Sequence, residues 1–211
     1  MTILQTRPFN LRPVCREAPA KGPDLRATHR TAAANYWYIV RENGHDLLGP
    51  TPDFHAKRAD LVDSGREAPL RGPAPSLAAC ALWQAADVGA AAHRPDQASA
   101  FHIVASLPEG DAASWRALVQ AYGQAELCAN GMVADWAIHA RDADGPGSSR
   151  IAPHVHLLVT ARSWRAGRRP GQRHPRWFTH KAQIRGAADR WYAMSGLYPQ
   201  IAVDWEPVAG C

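Results

Sequence analysis

Pro153 is followed by His154-Val-His-Leu-Leu-Val-Thr160, and this run constrains the chain more than any other stretch. Side chains of a strand alternate between its two faces. His154, His156 and Leu158 therefore share one face, and Val155, Leu157 and Val159 the other. The apolar set marks the buried side, which leaves polar chemistry to the histidine side. Two imidazoles two residues apart on a strand are half of a metal site. The plainer alternative is a surface strand whose histidines are merely solvated or hydrogen-bonded. A lone His-x-His does not decide between them, so the neighbouring elements have to.

Met132 to Ala140 alternates in the same way, with Val133, Asp135, Ala137 and His139 on one face and Ala134, Trp136 and Ile138 on the other. A short Gly- and Ser-rich turn, Asp142 to Ser149, separates it from the His-x-His run. Strands joined by so short a loop are expected to be antiparallel neighbours. His139 then meets His154 and His156, and three imidazoles converge on one cation. Asp135, four residues before His139 on the same face, could orient an imidazole, although a solvent-facing acid is the plainer reading. A third strand, Ser99 to Leu107, places Phe101, Ile103 and Ala105 on one side and His102, Val104 and Ser106 on the other.

Helices are expected around these strands. Thr28 to Asn43 carries strong formers at Ala32 to Ala34, then Tyr36-Trp37-Tyr38, and stops at Asn43-Gly44. Ser76 caps a second helix reaching about Ala92. Asp111 caps a third, with Trp115, Leu118, Val119 and Tyr122 at helical spacing. Thr179 caps the last, with Ile184, Ala188, Trp191 and Met194 toward the core and Gly196 as its stop. Met1 to Thr6 reads as a first strand. Pro8, Pro13, Pro19 and Pro23 speak against a regular element up to residue 26, and Gly44 to Pro75 reads as a long loop with one helical turn at most. The expectation is an α+β fold: a central antiparallel β-sheet with helices packed mainly on one face. One domain spans residues 1–211, with 28–195 as its core.

The chain has 211 residues, enough to bury a core, and a formal charge of +5. The position of that charge says more than its size. Arg162, Arg165, Arg168, Arg169, Arg173 and Arg176 are interleaved with Trp164 and Trp177, a mixture suited to tracking a nucleic-acid backbone and stacking bases. A disordered basic tail is the plainer alternative. Cys15, Cys80, Cys128 and Cys211 form no Cys-x-x-Cys pair, so reduced thiols are expected, with Cys80 and Cys128 as small core residues. No stretch is long and apolar enough to span a membrane, and the protein is expected to be soluble and cytoplasmic.

With Trp136-Ala-Ile-His139-Ala and Pro153-His154-Val-His156-Leu-Leu-Val-Thr-Ala-Arg162, the chain resembles the MobA/MobL family of plasmid mobilisation relaxases, members of the HUH endonucleases. Ala105-Ser-Leu107-Pro108-Glu109 and Tyr38-Ile-Val-Arg41-Glu42 extend the likeness, which covers roughly residues 28–195. The resemblance implies a site- and strand-specific DNA nickase that stays joined to the 5′ phosphate through a tyrosine. It implies single-stranded DNA at an origin of transfer as the substrate, with accessory mobilisation proteins as further partners. Mg²⁺ or Mn²⁺ held by His139, His154 and His156 suits that chemistry, since a divalent ion neutralises the phosphodiester. Phenolate is a competent leaving group for the reverse step. The family context favours Tyr38 as nucleophile, with Tyr36 as competitor; the two lie about 200° apart around a helix. The family strand corresponding to Phe101 commonly carries an acid facing the metal, and here only His102 and Ser106 are polar there. His102 is then an extra ligand or a partner behind the ligands, with a hydrogen-bonded interior histidine as the plainer alternative.

Two other readings stay open on the sequence. A mobilisation accessory protein could keep the basic surface after losing catalysis, as the missing acid suggests. A structural zinc site is the other, but closed sites of that kind usually include cysteine, and none is near these histidines.

Overall fold

In a computed structural model, residues 9–15, 30–70, 80–91, 98–142, 150–164 and 181–197 are described. The centre is an antiparallel sheet of five strands: β1 (Asn10–Cys15), β4 (Leu61–Glu67), β5 (Ala98–Ser106), β6 (Ala134–Arg141) and β7 (Ile151–Thr160). Their order is β1-β5-β7-β6-β4, so the three alternating runs of the sequence form the middle of the sheet. The expected α+β class with an antiparallel sheet is what is found. A small hairpin, β2 (His45–Asp46) with β3 (Gly49–Pro50), stands apart.

The helices are α1 (Ala32–Val40), α2 (Ala81–Ala91), α3 (Ala112–Tyr122) and α4 (Lys181–Ser195). Among the described residues, two of them pack on each face of the sheet. Phe101, Ile103, Trp136, Ile138, Val155 and Leu157 pack with Val119, Tyr122, Ala187 and Trp191 of α3 and α4. On the opposite face Ala100, Ala137 and Leu158 pack with Ala32, Ala33 and Ile39 of α1 and with Leu82 and Trp83 of α2. Met194 at the end of α4 is 39% exposed, one turn beyond the buried Trp191, so it does not join the core.

Helix α1 ends at Arg41 rather than at the expected Asn43-Gly44, and Asp111 caps α3 as expected. Thr31 caps α1 by accepting from the Ala34 N–H, and Asp87 of α2 accepts from the Ala32 and Ala33 N–H groups at 2.7 and 2.9 Å. Asp111 and Ser114 form a reciprocal capping box on α3. A π-helical turn, Gly123–Leu127, and a 3₁₀ turn, Cys128–Asn130, carry the chain to Gly131. Gly131 has φ +80°, a left-handed value that glycine adopts without cost.

Three expectations for the framework change. Residues 10–15 form a strand despite Pro13, because β1 is an edge strand and proline is tolerated where no ladder partner is lost. The stretch 44–75 is not one loop: it holds the hairpin, a 3₁₀ segment His55–Asp60 and strand β4. Strand β4 runs Leu-Val-Asp-Ser-Gly-Arg-Glu, a polar edge without the apolar alternation of a central strand. Gly65 allows the indole of Trp136 to lie against the backbone, where an added Cβ would come within 2.5 Å of it. Cys80 and Cys128 are free and buried as expected, but Cys15 is disulfide-bonded. The expected strand at 1–6 and the caps at Ser76 and Thr179 lie outside the described residues.

Candidate metal centre

The register of β6 and β7 sets His139 directly opposite His154, and His156 follows two residues on, on the same face. One ligand atom from each comes within 4.8 Å of the other two. Their rings are 4.7 to 5.5 Å apart, centroid to centroid, and all three side chains are buried. Burial comes first in holding His139 and His156 neutral. It pushes His139 down to about 3, helped by the Arg41 cation, and His156 well below the usual imidazole range, helped by the other histidines. Neutral imidazoles are the form that ligates a metal.

The hydrogen bonds around the rings determine which nitrogen of each carries the lone pair. His154 Nδ1 is 2.8 Å from the Ala152 carbonyl, an acceptor only, so Nδ1 is protonated and Nε2 holds the lone pair. His156 Nδ1 is 2.9 Å from His102 Nε2, and His102 Nδ1 is 2.8 Å from Asn35 Oδ1, while Asn35 Nδ2 donates to the Thr31 carbonyl. Two proton orders fit these distances, and in one of them Asn35 Oδ1 accepts from His102 Nδ1–H while His102 Nε2 accepts from His156 Nδ1–H. The lone pair of His156 is then on Nε2, a buried atom that meets no partner among the described residues. A buried acceptor without a partner costs free energy that a cation would restore. Arg12 also reaches this network, 2.8 Å from His102 Nδ1 and 3.1 Å from Asn35 Oδ1. If Arg12 took the His102 Nδ1 lone pair, the chain would run backwards and strand a proton on His156 Nε2. Burial lowers the Arg12 guanidinium to about 10.

His139 differs. Its Nε2 donates to the Ile39 carbonyl at 2.8 Å, and its Nδ1 accepts from Arg41 at 3.0 Å. Arg41 closes α1 in a left-handed conformation, φ 56°, and is 4% exposed. Its guanidinium forms a two-pronged pair with Asp60 at 2.7 and 3.0 Å and donates to the Tyr38 carbonyl. It also lies 4.6 Å above the Tyr38 ring. The lone pair that a divalent ion would need from His139 is therefore already engaged by Arg41.

Both tyrosines are half-buried on α1, on different sides. The Tyr38 ring is 5.5 Å from His156 and 6.5 Å from His102. Tyr36 instead packs edge-on to Trp37, and its hydroxyl is pushed up to about 12, by burial first and then by Asp135. Of the pair, the geometry brings Tyr38 to the histidines.

Other expected site residues lie elsewhere. His102 stands behind His156 and is not among the three residues whose ligand atoms converge. Asp135 orients no imidazole and does not face solvent: it is 4% exposed, pairs with Arg66 at 2.5 and 2.7 Å, and accepts from the Trp83 indole. Trp164 is 3% exposed within the apolar cluster under α1 and α2, so it has no face to offer a base. Arg162 is half-buried just past β7. Arg165, Arg168, Arg169, Arg173, Arg176 and Trp177 lie outside the described residues. Sequence reasoning missed Asn35, Arg41 and Asp60. Asn35 had a signal, since it precedes Tyr38 by three residues and shares its side of the helix. Asp60 had none, inside a stretch read as loop.

No curated protein matches the chain. The fold is similar to that of a protein whose solved structure addresses the "Molecular Basis of Vancomycin Resistance Transfer in Staphylococcus aureus", with a TM-score of 0.62 over 89% of both chains at 18% identity. The MobA/MobL family matches residues 30–191, which takes in α1, the three histidines and most of α4. The chain thus belongs to the MobA/MobL family, the plasmid mobilisation relaxases that its Pro-His-x-His strand resembles.

Proposed function

We propose that this relaxase nicks one DNA strand by transesterification onto Tyr38, at a centre held by His139, His154 and His156. The observation that carries the reading is the convergence of the three buried histidines within 4.8 Å beside the Tyr38 ring. Tyr38 Oη attacks the scissile phosphorus, forming the P–Oη bond as the P–O3′ bond breaks. The phenol proton is released and the departing 3′ oxygen gains one, so the reaction is isoenergetic enough to reverse. A divalent cation such as Mg²⁺ or Mn²⁺, when bound by the histidines, would neutralise the phosphate charge and align it. The chain's own contribution is orientation. Ala152 fixes the tautomer of His154, His102 backs His156, and α1 carries Tyr38 to them.

Single-stranded DNA at an origin of transfer is the proposed substrate, accessory mobilisation proteins are proposed partners, and the cytoplasm is the proposed compartment. No helix among the described residues is long and apolar enough to cross a membrane. The basic residues from Arg162 to Arg176 are the proposed DNA contacts, without Trp164.

The test is a denaturing gel after incubation with labelled single-stranded origin-type oligonucleotides and Mn²⁺. A covalent protein–DNA band is expected, absent with chelator, with Tyr38→Phe and with His154→Ala, and retained with Tyr36→Phe. Salt-sensitive DNA binding with no adduct on any oligonucleotide would overturn catalysis and leave the accessory-protein reading.

A further inference from the structure

Asp60, Arg41 and His139 form a hydrogen-bonded series that the proposed chemistry does not use, and it ends on a proposed ligand. A neutral imidazole has one nitrogen with a lone pair and one with a proton. A guanidinium has donors only, so Arg41 at 3.0 Å from His139 Nδ1 requires that lone pair. The proton is then on Nε2, where the Ile39 carbonyl accepts it at 2.8 Å. A metal ion needs the same lone pair. The conflict holds whichever nitrogen a metal would use, because serving both at once would need the doubly deprotonated imidazolate.

We propose that Arg41 is the lock of the metal centre: it occupies the lone pair of His139, so that the Arg41–His139 bond and metal ligation by His139 are alternatives. This rests on the reading of the three histidines as a metal centre. Several contacts hold the lock closed. Asp60 grips the guanidinium at two atoms, the Tyr38 carbonyl takes a third donor, and the side chain is buried. Arg41 also sits in a left-handed backbone conformation that a non-glycine residue adopts at a cost. Opening the lock moves the residue that ends α1, three positions after Tyr38. The state of the metal centre is thereby tied to the element that carries the nucleophile.

The test compares Mn²⁺ binding by calorimetry in the full chain and in the double variant Arg41→Met/Asp60→Leu. The pair is replaced as a unit because removing one member leaves a buried charge alone, while an apolar pair of similar volume is tolerated. The expected result is Mn²⁺ binding about ten- to a hundredfold tighter in the double variant, the range spanned by one charge-assisted hydrogen bond. Unchanged or weaker binding, with a thermal melt in chelator showing a folded variant, overturns the lock and leaves the metal centre standing. Absence of Mn²⁺ binding in both proteins overturns the metal centre itself, and the lock with it. Imidazole ¹⁵N NMR of the metal-free wild-type chain needs no variant to fold. It is expected to show His139 protonated at Nε2 with a hydrogen-bonded Nδ1, and a proton on Nδ1 overturns the lock.

Discussion

The two faces of the central sheet are built from the same strands and filled in opposite ways. Beneath α3 and α4 lie Phe101, Ile103, Trp136, Ile138, Val155 and Leu157, with Tyr122 and Trp191 stacked edge-on at 5.1 Å. The polar tips of those two aromatics reach backbone carbonyls: Trp191 donates to Ser106 and Tyr122 to Ala187. Beneath α1 and α2 lie Asn35, Arg41, Asp60, Asp87, His102, Asp135 and the three histidines, all buried. The first face gains from area removed from water. Most polar groups of the second are paired, at a desolvation cost that good hydrogen bonds offset, and His156 Nε2 is an exception among the described residues. Alternation along β5, β6 and β7 separates the two kinds of interior by one residue. Stability can therefore be concentrated on one side while the other keeps the strained and charged groups that chemistry needs.

If that division holds, the largest loss of stability comes from the face without chemistry. Trp191 is fully buried against Tyr122. Trp191→Ala removes a large ring and leaves a cavity, so unfolding by urea is expected to lose about 3–5 kcal/mol. Mn²⁺ affinity of the folded fraction should stay within about twofold, since the histidines project from the opposite side of the strands. Affinity falling along with stability would mean that the two faces are coupled and the comparison fails.

The polar face should instead reveal itself through pH. Asp87 is pushed up to about 6, chiefly by burial, even though the Ala32 and Ala33 N–H groups and Ser99 donate to it. Its folded value lies above the ordinary 3.8, so the native state binds more protons than the unfolded chain between those values. Stability contributed by this group is then greatest in acid and falls as pH rises from about 4 to 6, by on the order of 2 kcal/mol. Above that window the ionised carboxylate remains a fixed cost. Asp87→Asn should flatten the slope of unfolding free energy over that range, and an unchanged slope would assign it to another group.

What could be read from the sequence follows the same division. The central strands were legible because Asp135-Trp-Ala-Ile-His139 and His154-Val-His-Leu157 place their histidines on one face, and the short turn between the two runs pointed to antiparallel pairing. The meeting of His139 with His154 followed from that alone. The edges were not legible. Strand β1 carries a proline and β4 is polar, and each becomes a strand only because a central strand offers it a ladder. Trp164 misled for a related reason. Arginine beside tryptophan reads as a stacking surface, yet tertiary packing buries the indole with Leu82 and Trp83. The Arg41–Asp60 pair joins a helix end to a 3₁₀ segment nineteen positions on, and no local pattern announces it.

The smallest of these effects is the most pointed, because it separates a supporting hydrogen bond from a packing role within the polar face itself. His102 accepts from His156 Nδ1–H in the proton order that leaves the His156 Nε2 lone pair available. His102→Leu keeps bulk at the site but removes the acceptor, freeing His156 to adopt the other tautomer. Mn²⁺ binding is then expected to weaken about tenfold or somewhat more, the lower part of the range for partners behind metal ligands. His102→Gln supplies an amide oxygen of similar reach and should recover most of the loss. A residue that served only to fill space would give the reverse pattern, with Leu tolerated and Gln, a buried amide short of partners, the worse of the two. Calorimetric titration of both variants, alongside their melts in chelator, therefore decides whether the imidazole that stands where the family commonly has an acid does an acceptor's work.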